Sequence, residues 1–464
     1  MTSEQITLAS RAAFILLCVV LVFTTLAYGA VHQPVIAVFY VLTGALIVLL
    51  SIDVYQRRQF TVQNNLMPVL LLALAAYGLV QVIPFGTLAQ TAGVDGIPRT
   101  ISLNPFATQV SALHMLFLFF LFVAVLSLLN TAGRLRWTVY VIAIFGFAFA
   151  FFAILQSVLS PQKIYGIYEA KYAVPFGSFV SRHNFAAFME LSLAIPLGMI
   201  FSGSVRPDKR LLYITAIALM GIALLLCGSR GGLVAFLAEI ICVLFFAASS
   251  LRRSFNVQLA LAVILIALVI GGAVFVGGDT SFTRIAETAA TDDLTTGRTH
   301  IWQVAVEIIR AYFPLGVGLG AFGVAYTQFD SMSGLERVEQ AHNDFLQIVT
   351  DAGLVGIVLG GFFIYGFAKL GMRIRGINNQ YRRGVAVGAF AGCLAVLVHS
   401  LVDFVLHTTA ISVLFIIVLS VLIASLTEYP DDFEDTAQRI KRKRTKAKIS
   451  SISQSINTRA TEAQ

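Results

Sequence analysis

The sequence predicts an all-α, polytopic membrane protein that crosses the bilayer about twelve times. Of its 464 residues, 58% are hydrophobic and only 12% are charged. Runs of about 20 apolar residues recur along the chain, and each is long enough to cross a hydrocarbon core about 30 Å thick. The predicted spans are 12–30, 34–52, 66–84, 109–129, 137–159, 184–203, 211–227, 232–249, 257–277, 343–368, 384–404 and 408–427. The second span follows the first closely and without a small-residue cleavage site, so the first is not expected to be a removable signal peptide.

The positions of lysine and arginine predict which loops face the cytoplasm. Placing the N-terminus in the cytoplasm puts most of the 32 basic residues on the inner face, for example Arg57, Arg58, Arg382 and Arg383. Each short inner loop then carries at least a basic pair, as the positive-inside rule requires. The net charge of +8 is therefore interpreted as topology and contact with anionic lipid, and nucleic-acid binding is not expected. Both termini are predicted to be cytoplasmic.

The chain is predicted to consist of one membrane domain and a tail. Residues 1–427 form the membrane domain, in which the longest outer loop, 278–342, lies between spans nine and ten. Two shorter outer loops are predicted at 85–108 and 160–183. Long ordered loops often carry function. Residues 428–464 are acidic first and then basic, which predicts a solvated, disordered cytoplasmic tail.

The longest outer loop contains "TTGRTHIWQVAVEIIRAYFPLGVGLGAFG", which predicts a helix. Its apolar residues repeat at the spacing of one helix face, at Ile301, Val304, Ala305, Ile308 and Tyr312. Pro314 should stop this helix, and the glycines that follow predict a flexible or closely packed turn. We expect an amphipathic helix that lies on the outer membrane surface and has Arg298 at its start.

His342 is the strongest candidate for chemistry. It opens the stretch "AHNDFLQIVTDAGLVG", in which Asn343, Asp344, Gln347 and Asp351 add polar groups to the mouth of an apolar span. Such groups are costly near a membrane segment and tend to be functional. A histidine side chain can act as a neutral base at physiological pH. The alternative is a histidine that only anchors the helix at the interface, but the polar cluster beside it exceeds what an anchor needs.

Two outer-face arginines are candidates for binding phosphate. Arg230, in "LLLCGSRGGLVAF", lies between two closely joined spans, and its neighbouring glycines permit close approach of a backbone or a ligand. Arg298 lies at the N-terminus of the predicted loop helix, where backbone N–H groups also favour anions. The planar guanidinium fits phosphate or diphosphate well. The alternatives are a snorkelling arginine for Arg230 and an ordinary loop cation for Arg298.

Two further stretches are weaker candidates. "GSFVSRHNFAAF" places Arg182 and His183 where a loop enters span six, and "LVHSLVDFVLH" places His399 and Asp403 four residues apart on one face of span eleven. The alternative for each is an interhelical polar contact inside the bundle. The chain has no HExxH, Walker A or GxSxG motif, and its four cysteines form no CxxC pair. Neither a metal nor a cofactor is therefore expected.

The stretch "AHNDFLQIVTDAGLVG" resembles the His-Asn/Ser/Gln…Glu-x-Gly-x-x-Gly signature of the O-antigen ligase family, which is related to the O-antigen and exopolysaccharide polymerases. "GSRGGLVAF", "GRTHIWQVAVEIIRAYFPLGVGLGAFG" and "VPFGSFVSRHNFAAFMELSLAIPLG" also match that family. The resemblance covers roughly residues 170–405. One departure is Asp351, which stands where glutamate is usual and keeps the charge on a shorter side chain.

The resemblance implies a metal-independent glycosyltransferase of the GT-C type in the bacterial inner membrane. Such an enzyme moves a glycan from undecaprenyl diphosphate to an acceptor hydroxyl at the periplasmic face. His342 would be the base, and Arg230 and Arg298 would bind the departing diphosphate. Arg182 and Asn343 are added as candidate substrate-binding residues. The weaker site candidates are Asp351, His399 and Asp403.

Ligase-type transfer of O-antigen onto lipid A–core is the favoured activity, with a polymerase of the same family as the alternative. The expected partners are the lipid-linked donor, a lipid A–core or glycan acceptor, and the bilayer. A remoter alternative is a transporter of lipid-linked glycan. Transporters favour paired repeats and ionisable groups near the bilayer midplane, whereas the ionisable candidates here cluster at the outer edge.

Overall fold

The computed structural model describes residues 7–63, 65–88, 95–170, 173–248, 255–277, 298–332 and 338–428, and it is mostly helical there, with almost no strand. The first nine helices are α1 Leu8–Leu26, α2 Gln33–Arg57, α3 Met67–Gln81, α4 Pro105–Leu128, α5 Ala132–Leu159, α6 Arg182–Phe201, α7 Arg210–Leu226, α8 Arg230–Ala248 and α9 Phe255–Gly277. The others are α10 Arg298–Tyr312, α11 Phe322–Phe329, α12 Asp344–Arg373, α13 Gln380–His399 and α14 Thr409–Ser425. Between α5 and α6, the short strands β1 Lys163–Ile164 and β2 Tyr168–Glu169 pair antiparallel.

Each of the twelve predicted spans overlaps one of the helices α1–α9 and α12–α14. Within the described residues, eight helices are long and apolar enough to cross a membrane by length and composition. These observations confirm the all-α, polytopic membrane fold. The number of crossings stays a prediction, as does the division into residues 1–427 and 428–464. Residues 278–297 of the long loop, and the tail beyond residue 428, lie outside the described residues.

Helices α6 and α13 pack against each other at the centre of the bundle. Gly384, Gly388 and Gly392 recur every four residues on α13 and form a small-residue face that lets two membrane helices approach closely. A Cβ at Gly388 would lie 2.4 Å from the carbonyl oxygen of Ala194, and one at Gly392 would lie 3.3 Å from that of Glu190. Glycine is therefore required here by close contact. The same packing brings the C-terminal end of α13 beside the N-terminal half of α6.

The loop helix α10 begins at Arg298 and ends at Tyr312, just before Pro314, as predicted. Its apolar residues Val304, Ala305 and Ile308 are buried in a small second core together with residues of α11 such as Phe322. The expectation that α10 lies on the outer membrane surface stays a prediction, but its apolar face is not available to contact that surface. The face is covered by protein, because α11 and the turn before it fold back onto α10.

The glycine-rich segment that follows α10 is a closely packed turn. The backbone N–H of Gly318 donates to the Asp351 carbonyl at 3.0 Å, and that of Gly320 donates to the Asp351 carboxylate at 2.9 Å. At Gly316, which has a φ of +74°, a Cβ would lie 2.5 Å from the Asp351 carbonyl oxygen. The dihedral angles of Gly353 break the helical path of α12 at the same place. Of the two predicted alternatives, the structure therefore supports close packing.

Candidate active site at one end of the helix bundle

Polar side chains from three other chain segments meet around Asp403, at the end of the bundle where α6, α10 and α12 begin. Arg298 Nη2 donates to Asp403 Oδ2 at 3.1 Å, and His183 Nδ1 lies 3.5 Å from the same oxygen. His342 Nδ1 lies 3.6 Å from the other oxygen, Oδ1. By the predicted orientation this is the outer end of the bundle. One carboxylate thus faces a guanidinium and two imidazoles.

Asp403 lies in a turn rather than on a helix. We predicted that it shares a helix face with His399, but α13 ends at His399, and the N–H of Asp403 donates to the His399 carbonyl at 3.1 Å. The Asp403 side chain is only 6% exposed. Burial acts to raise the pKa of Asp403, but the nearby rings of His342 and His183 and the charge of Arg298 outweigh it and hold that pKa well below its ordinary value. Asp403 is therefore a fixed anion at the centre of the site.

His342 sits immediately before α12 with an unusual backbone. Its φ is +48°, in the left-handed region that a residue with a Cβ seldom adopts. The ring packs edge-on against Phe404, with the centroids 4.7 Å apart, and the side chain is 33% exposed. Its Nδ1 is buried and has no hydrogen-bond partner among the described residues. Backbone strain of this kind often marks functional sites.

Asn343 and Asp344 tie the start of α12 to the turn that carries Asp403. Asn343 Oδ1 accepts the N–H groups of Phe345 and Leu346 as a helix cap, and its Nδ2 donates to the Leu401 carbonyl at 2.8 Å. Asp344 accepts a hydrogen bond from Ser400 at 2.6 Å and lies 2.7 Å from the His407 ring. These contacts give Asn343 an architectural role. Its predicted role in substrate binding stays a prediction.

A buried chain of polar groups leads from Asp403 into the bundle. His183 Nδ1 lies 2.8 Å from the hydroxyl oxygen of Ser229, which lies 3.5 Å from His399 Nε2. His399 Nδ1 is in turn 2.9 Å from Glu190 Oε1, and both of these side chains are fully buried. This series of polar contacts links α6, the turn before α8, and the end of α13. His399 therefore occupies an interior position and does not line the surface of the site.

Arg230 and Arg182 flank this chain. Arg230 is the first residue of α8, directly after Ser229, and its side chain is exposed. Arg182 begins α6, and a Cβ at Gly228 would lie 3.6 Å from its guanidinium. A Cβ at Gly231 would lie 2.9 Å from His399 Nε2, so this glycine lets the start of α8 pack against the imidazole. The arginines 182, 230 and 298 thus each begin a helix at the same end of the bundle.

Asp351 has a different environment. It is buried, and Gln347 Nε2 donates to both of its carboxylate oxygens at 3.2 Å, in addition to the bond from Gly320. Gln347 Oε1 accepts the N–H of Ala341 at 2.7 Å, next to His342. Asp351 therefore holds the glycine-rich turn and the segment before α12 in place. Its contacts are those of a scaffold residue.

His183, His399 and Asp403 form a group with the composition of a metal site. One ring nitrogen of each histidine and one carboxylate oxygen lie within 4.8 Å of one another. The donor set fits a metal poorly, because Arg298 is already 3.1 Å from Asp403 Oδ2 and supplies the positive charge there. A divalent cation beside this guanidinium would be repelled. Spacing along the sequence did not reveal the group, since its members come from two distant segments.

Several of the site residues are recognisable in the sequence, and others are not. Arg298, His342 and Asp403, each proposed separately, meet in the structure. Glu190 and Ser229 were not proposed, and His183 was noted only beside Arg182. The signal for Glu190 was a single acidic residue within the apolar stretch "FMELSLAIPLG", since such residues tend to be functional and paired.

Comparison with known proteins supports the resemblance seen in the sequence. A search of curated proteins finds no match to this chain. Residues 215–360 match the family model described as O-Antigen ligase, and this segment runs from α7 into α12. Across the segment that carries Arg230, Arg298 and His342, the chain is therefore O-antigen ligase-like.

Proposed function

We propose that this protein transfers a glycan from undecaprenyl diphosphate to an acceptor hydroxyl at the periplasmic face of the inner membrane, as an O-antigen ligase does. The family match indicates a glycosyltransferase-like membrane enzyme of polysaccharide biosynthesis. The donor lipid, the acceptor and the orientation in the membrane are parts of the proposal.

The observation that carries the proposal is that His342 and Arg298 meet at Asp403. A base and a cation are the two groups that glycosyl transfer from a diphosphate requires. Arg298 Nη2 is 3.1 Å from one oxygen of Asp403, and His342 Nδ1 is 3.6 Å from the other. Such positioning by a shared carboxylate is typical of catalytic histidines.

In the proposed reaction His342 accepts the proton of the acceptor hydroxyl. The oxygen then forms a bond to the anomeric carbon of the donor sugar. The bond from that carbon to the diphosphate oxygen breaks, and its electron pair leaves with the diphosphate. Arg298, Arg230 and Arg182 neutralise the charge that develops on this leaving group. A positioned base of this kind contributes roughly 10²–10⁴-fold to the rate.

Ligase-type transfer onto lipid A–core remains the preferred version, with the polymerase as the alternative. A polymerase holds two lipid-linked glycans, which favours a second cationic site at the outer face. The other basic residues predicted there, such as Arg99 and Lys163, lie in separate loops. Lys163 is paired with Glu169 at 2.7 Å, and Arg99 lies over the ring of Phe85. Neither is grouped with the arginines of the candidate site.

One observation favours transport as a second candidate function. Glu190 and Glu239 are fully buried within α6 and α8, and both oxygens of Glu239 are without a hydrogen-bond partner among the described residues. Ionisable groups inside membrane spans are typical of transporters. Glu190 and Glu239 are not among the ionisable candidates that cluster at the predicted outer edge.

The proposal is tested with the purified full-length protein in liposomes. Lipid-linked repeat units are supplied in the absence of any ion gradient, with or without lipid A–core. Product that forms only when lipid A–core is present supports the ligase. Ladders of longer lipid-linked glycan without lipid A–core indicate the polymerase. Donor that is left unconsumed in both reactions but crosses the bilayer supports the transporter.

The predicted orientation has a separate test. A cysteine placed at position 230 or 298 should react with a membrane-impermeant thiol reagent added from the periplasmic side. The parent protein is the control for its own four cysteines, three of which are buried and one of which is partly buried. Labelling of both positions only from the cytoplasmic side would contradict the orientation.

A further inference from the structure

The buried chain that joins Glu190, His399, Ser229 and His183 determines where the protons on its imidazoles lie. His399 Nδ1 is 2.9 Å from Glu190 Oε1. A carboxylate can only accept a hydrogen bond, so His399 carries its proton on Nδ1. In the neutral imidazole Nε2 is then an acceptor, and it faces the Ser229 hydroxyl at 3.5 Å. The bond made by one ring nitrogen thus fixes the role of the other.

The hydrogen bonds of Ser229 in turn favour one tautomer of His183. The Ser229 oxygen already accepts the N–H of Gly232 at 3.1 Å, and a neutral His399 offers Nε2 as the acceptor for the single hydroxyl proton. In that arrangement the remaining contact, at 2.8 Å to His183 Nδ1, is donated by the histidine. Asp403 Oδ2, 3.5 Å from the same nitrogen, favours the same tautomer, because it too can only accept. A neutral His183 protonated on Nδ1 has a lone pair on Nε2.

The close packing around these polar side chains leaves them little room to take up another arrangement. Glu190 and His399 are fully buried, and Ser229 is 4% exposed. A Cβ at Gly231 would lie 2.8 Å from the His399 ring, and one at Gly232 would lie 2.6 Å from Ala186. The two glycines of "SRGG" therefore allow α8 to start against both α6 and α13. His183, by contrast, is 24% exposed and lies at the edge of the site.

We propose that Glu190, His399 and Ser229 are positioning residues that hold His183 as the Nδ1–H tautomer, so that its Nε2 accepts a hydrogen bond from a hydroxyl group of the glycan. The inference rests on the proposed function for the identity of the ligand. An ionised phosphate oxygen has no proton to donate, so His183 recognises the sugar while the arginines recognise the diphosphate. The site thereby has two histidines with separate roles, His342 as the base and His183 as the sugar contact.

The tautomer is measured directly by nitrogen NMR on the full-length protein labelled with ¹⁵N-histidine, in detergent micelles without substrate. The His183 signals are assigned by their absence from the His183→Gln variant. We expect Nδ1 protonated and Nε2 unprotonated in the parent protein. Protonation of Nε2 in the parent would overturn the proposal. Because this readout needs no glycan, it decides the positioning chain even if the proposed transfer activity is not found.

Two serine variants separate positioning from general packing. Ser229→Ala removes the link, and we expect His183 to populate both tautomers and transfer to fall roughly ten-fold, as for loss of an aligned hydrogen bond. Ser192→Ala is the matched control, because Ser192 is a buried serine of α6 whose hydroxyl has no hydrogen-bond partner among the described residues. It should change neither the NMR signals nor the rate. Equal behaviour of the two variants would overturn the proposal.

The role of Nε2 is tested by two substitutions at His183. An Asn side chain reaches only the position of Nδ1, whereas Gln reaches that of Nε2 and offers an oxygen acceptor there. We expect His183→Gln to retain more transfer than His183→Asn, with the difference mainly in KM for the glycan. Equal loss in both variants, or greater activity in the Asn variant, would contradict a hydrogen bond to Nε2.

Discussion

Arg298 Nη2 donates a hydrogen bond to Asp403 Oδ2 at 3.1 Å, although 105 residues separate the two in the sequence. The guanidinium also donates to the carbonyl of Val402. The loop helix α10 is thereby tied to the turn after α13. In the proposed reaction this pairing keeps Arg298 beside His342 before substrate arrives, so that the cation and the base need no rearrangement to act together.

Substitutions at Arg298 should show whether transfer needs only its positive charge or also its planar guanidinium. Arg298→Ala is expected to lower the rate of transfer by at least about 100-fold, since one positioned donor to developing charge is worth that much. Arg298→Lys should recover only part of it, because lysine cannot donate to Asp403, Val402 and a phosphate as a planar fork does. The matched control is Arg310→Ala, an exposed arginine on the same helix. Full activity of the lysine variant would show that charge alone suffices.

Asp403→Asn should destabilise the protein in a way that depends on pH. The pKa of Asp403 is lower in the folded protein than in the unfolded chain, so its stabilisation is complete above the unfolded pKa of about 4 and is lost as pH falls towards the folded value. We expect the variant to lose about 3 kcal/mol of unfolding free energy at neutral pH. The difference should shrink below about pH 4.

Thermal unfolding followed by circular dichroism in detergent, at a series of pH values, measures this difference. Asp208→Asn is the control, because the side chain of Asp208 is 54% exposed and pairs with Arg206 at the surface. A difference between parent and Asp403→Asn that grew as the pH fell would contradict the assigned direction of the pKa.

The helices could be predicted from sequence because a membrane span is a local property of about 20 consecutive residues. For the same reason α10 was predicted to begin at Arg298 and end before Pro314. The contacts that bury its apolar face were not predictable in this way. These contacts come from α11 and from a glycine turn held by Asp351, and they join parts of the chain that periodicity does not relate.

The candidate site was likewise predictable only where local sequence signals sufficed. Local signals were enough to propose His342 and Arg298, because polar residues stand out at the mouth of an apolar span. The meeting of these residues at Asp403 depends on the close packing of α6 against α13, which brings the end of one helix to the start of the other. His399 and Asp403 were read as one helix face, whereas the helix ends between them. Because α13 ends between them, His399 is buried inside the bundle and Asp403 lies at the candidate site.

His342→Ala should abolish transfer without unfolding the protein. The ring packs edge-on against Phe404, and its Nδ1 has no hydrogen-bond partner among the described residues, so its removal breaks few contacts. We expect a loss of about 100-fold or more in the rate, with donor binding and melting temperature nearly unchanged. His32→Ala, which alters a histidine in the turn between α1 and α2, is the matched control. Near-normal turnover by the His342 variant would remove it as the base.

Asp351→Asn should act through stability. The change replaces one acceptor by an amide that meets the donors of Gly320 and Gln347, and the expected loss is about 1–3 kcal/mol of unfolding free energy. Transfer should fall only as far as the folded fraction does. Melting curves and rates measured at several temperatures test this, with Glu307→Gln on the exposed side of α10 as the control. A large loss of rate at an unchanged melting temperature would instead give Asp351 a direct role.

Transfer should survive removal of divalent cations. The group formed by His183, His399 and Asp403 has the residue types of a metal site, but Asp403 is already paired with Arg298, and a guanidinium 3.1 Å away opposes a second cation. In the proposed reaction the arginines supply the positive charge that a metal brings to phosphate chemistry elsewhere. We therefore expect the same rate before and after treatment with EDTA, and no rise in melting temperature on addition of Zn²⁺ or Mn²⁺.

The Arg298→Ala variant tests the reason for this expectation. It removes the cation that competes with a metal at Asp403, so this variant alone should gain affinity for Zn²⁺. Loss of activity in EDTA that one of these metals restores to the parent protein would assign the group to metal binding and count against the proposed mechanism.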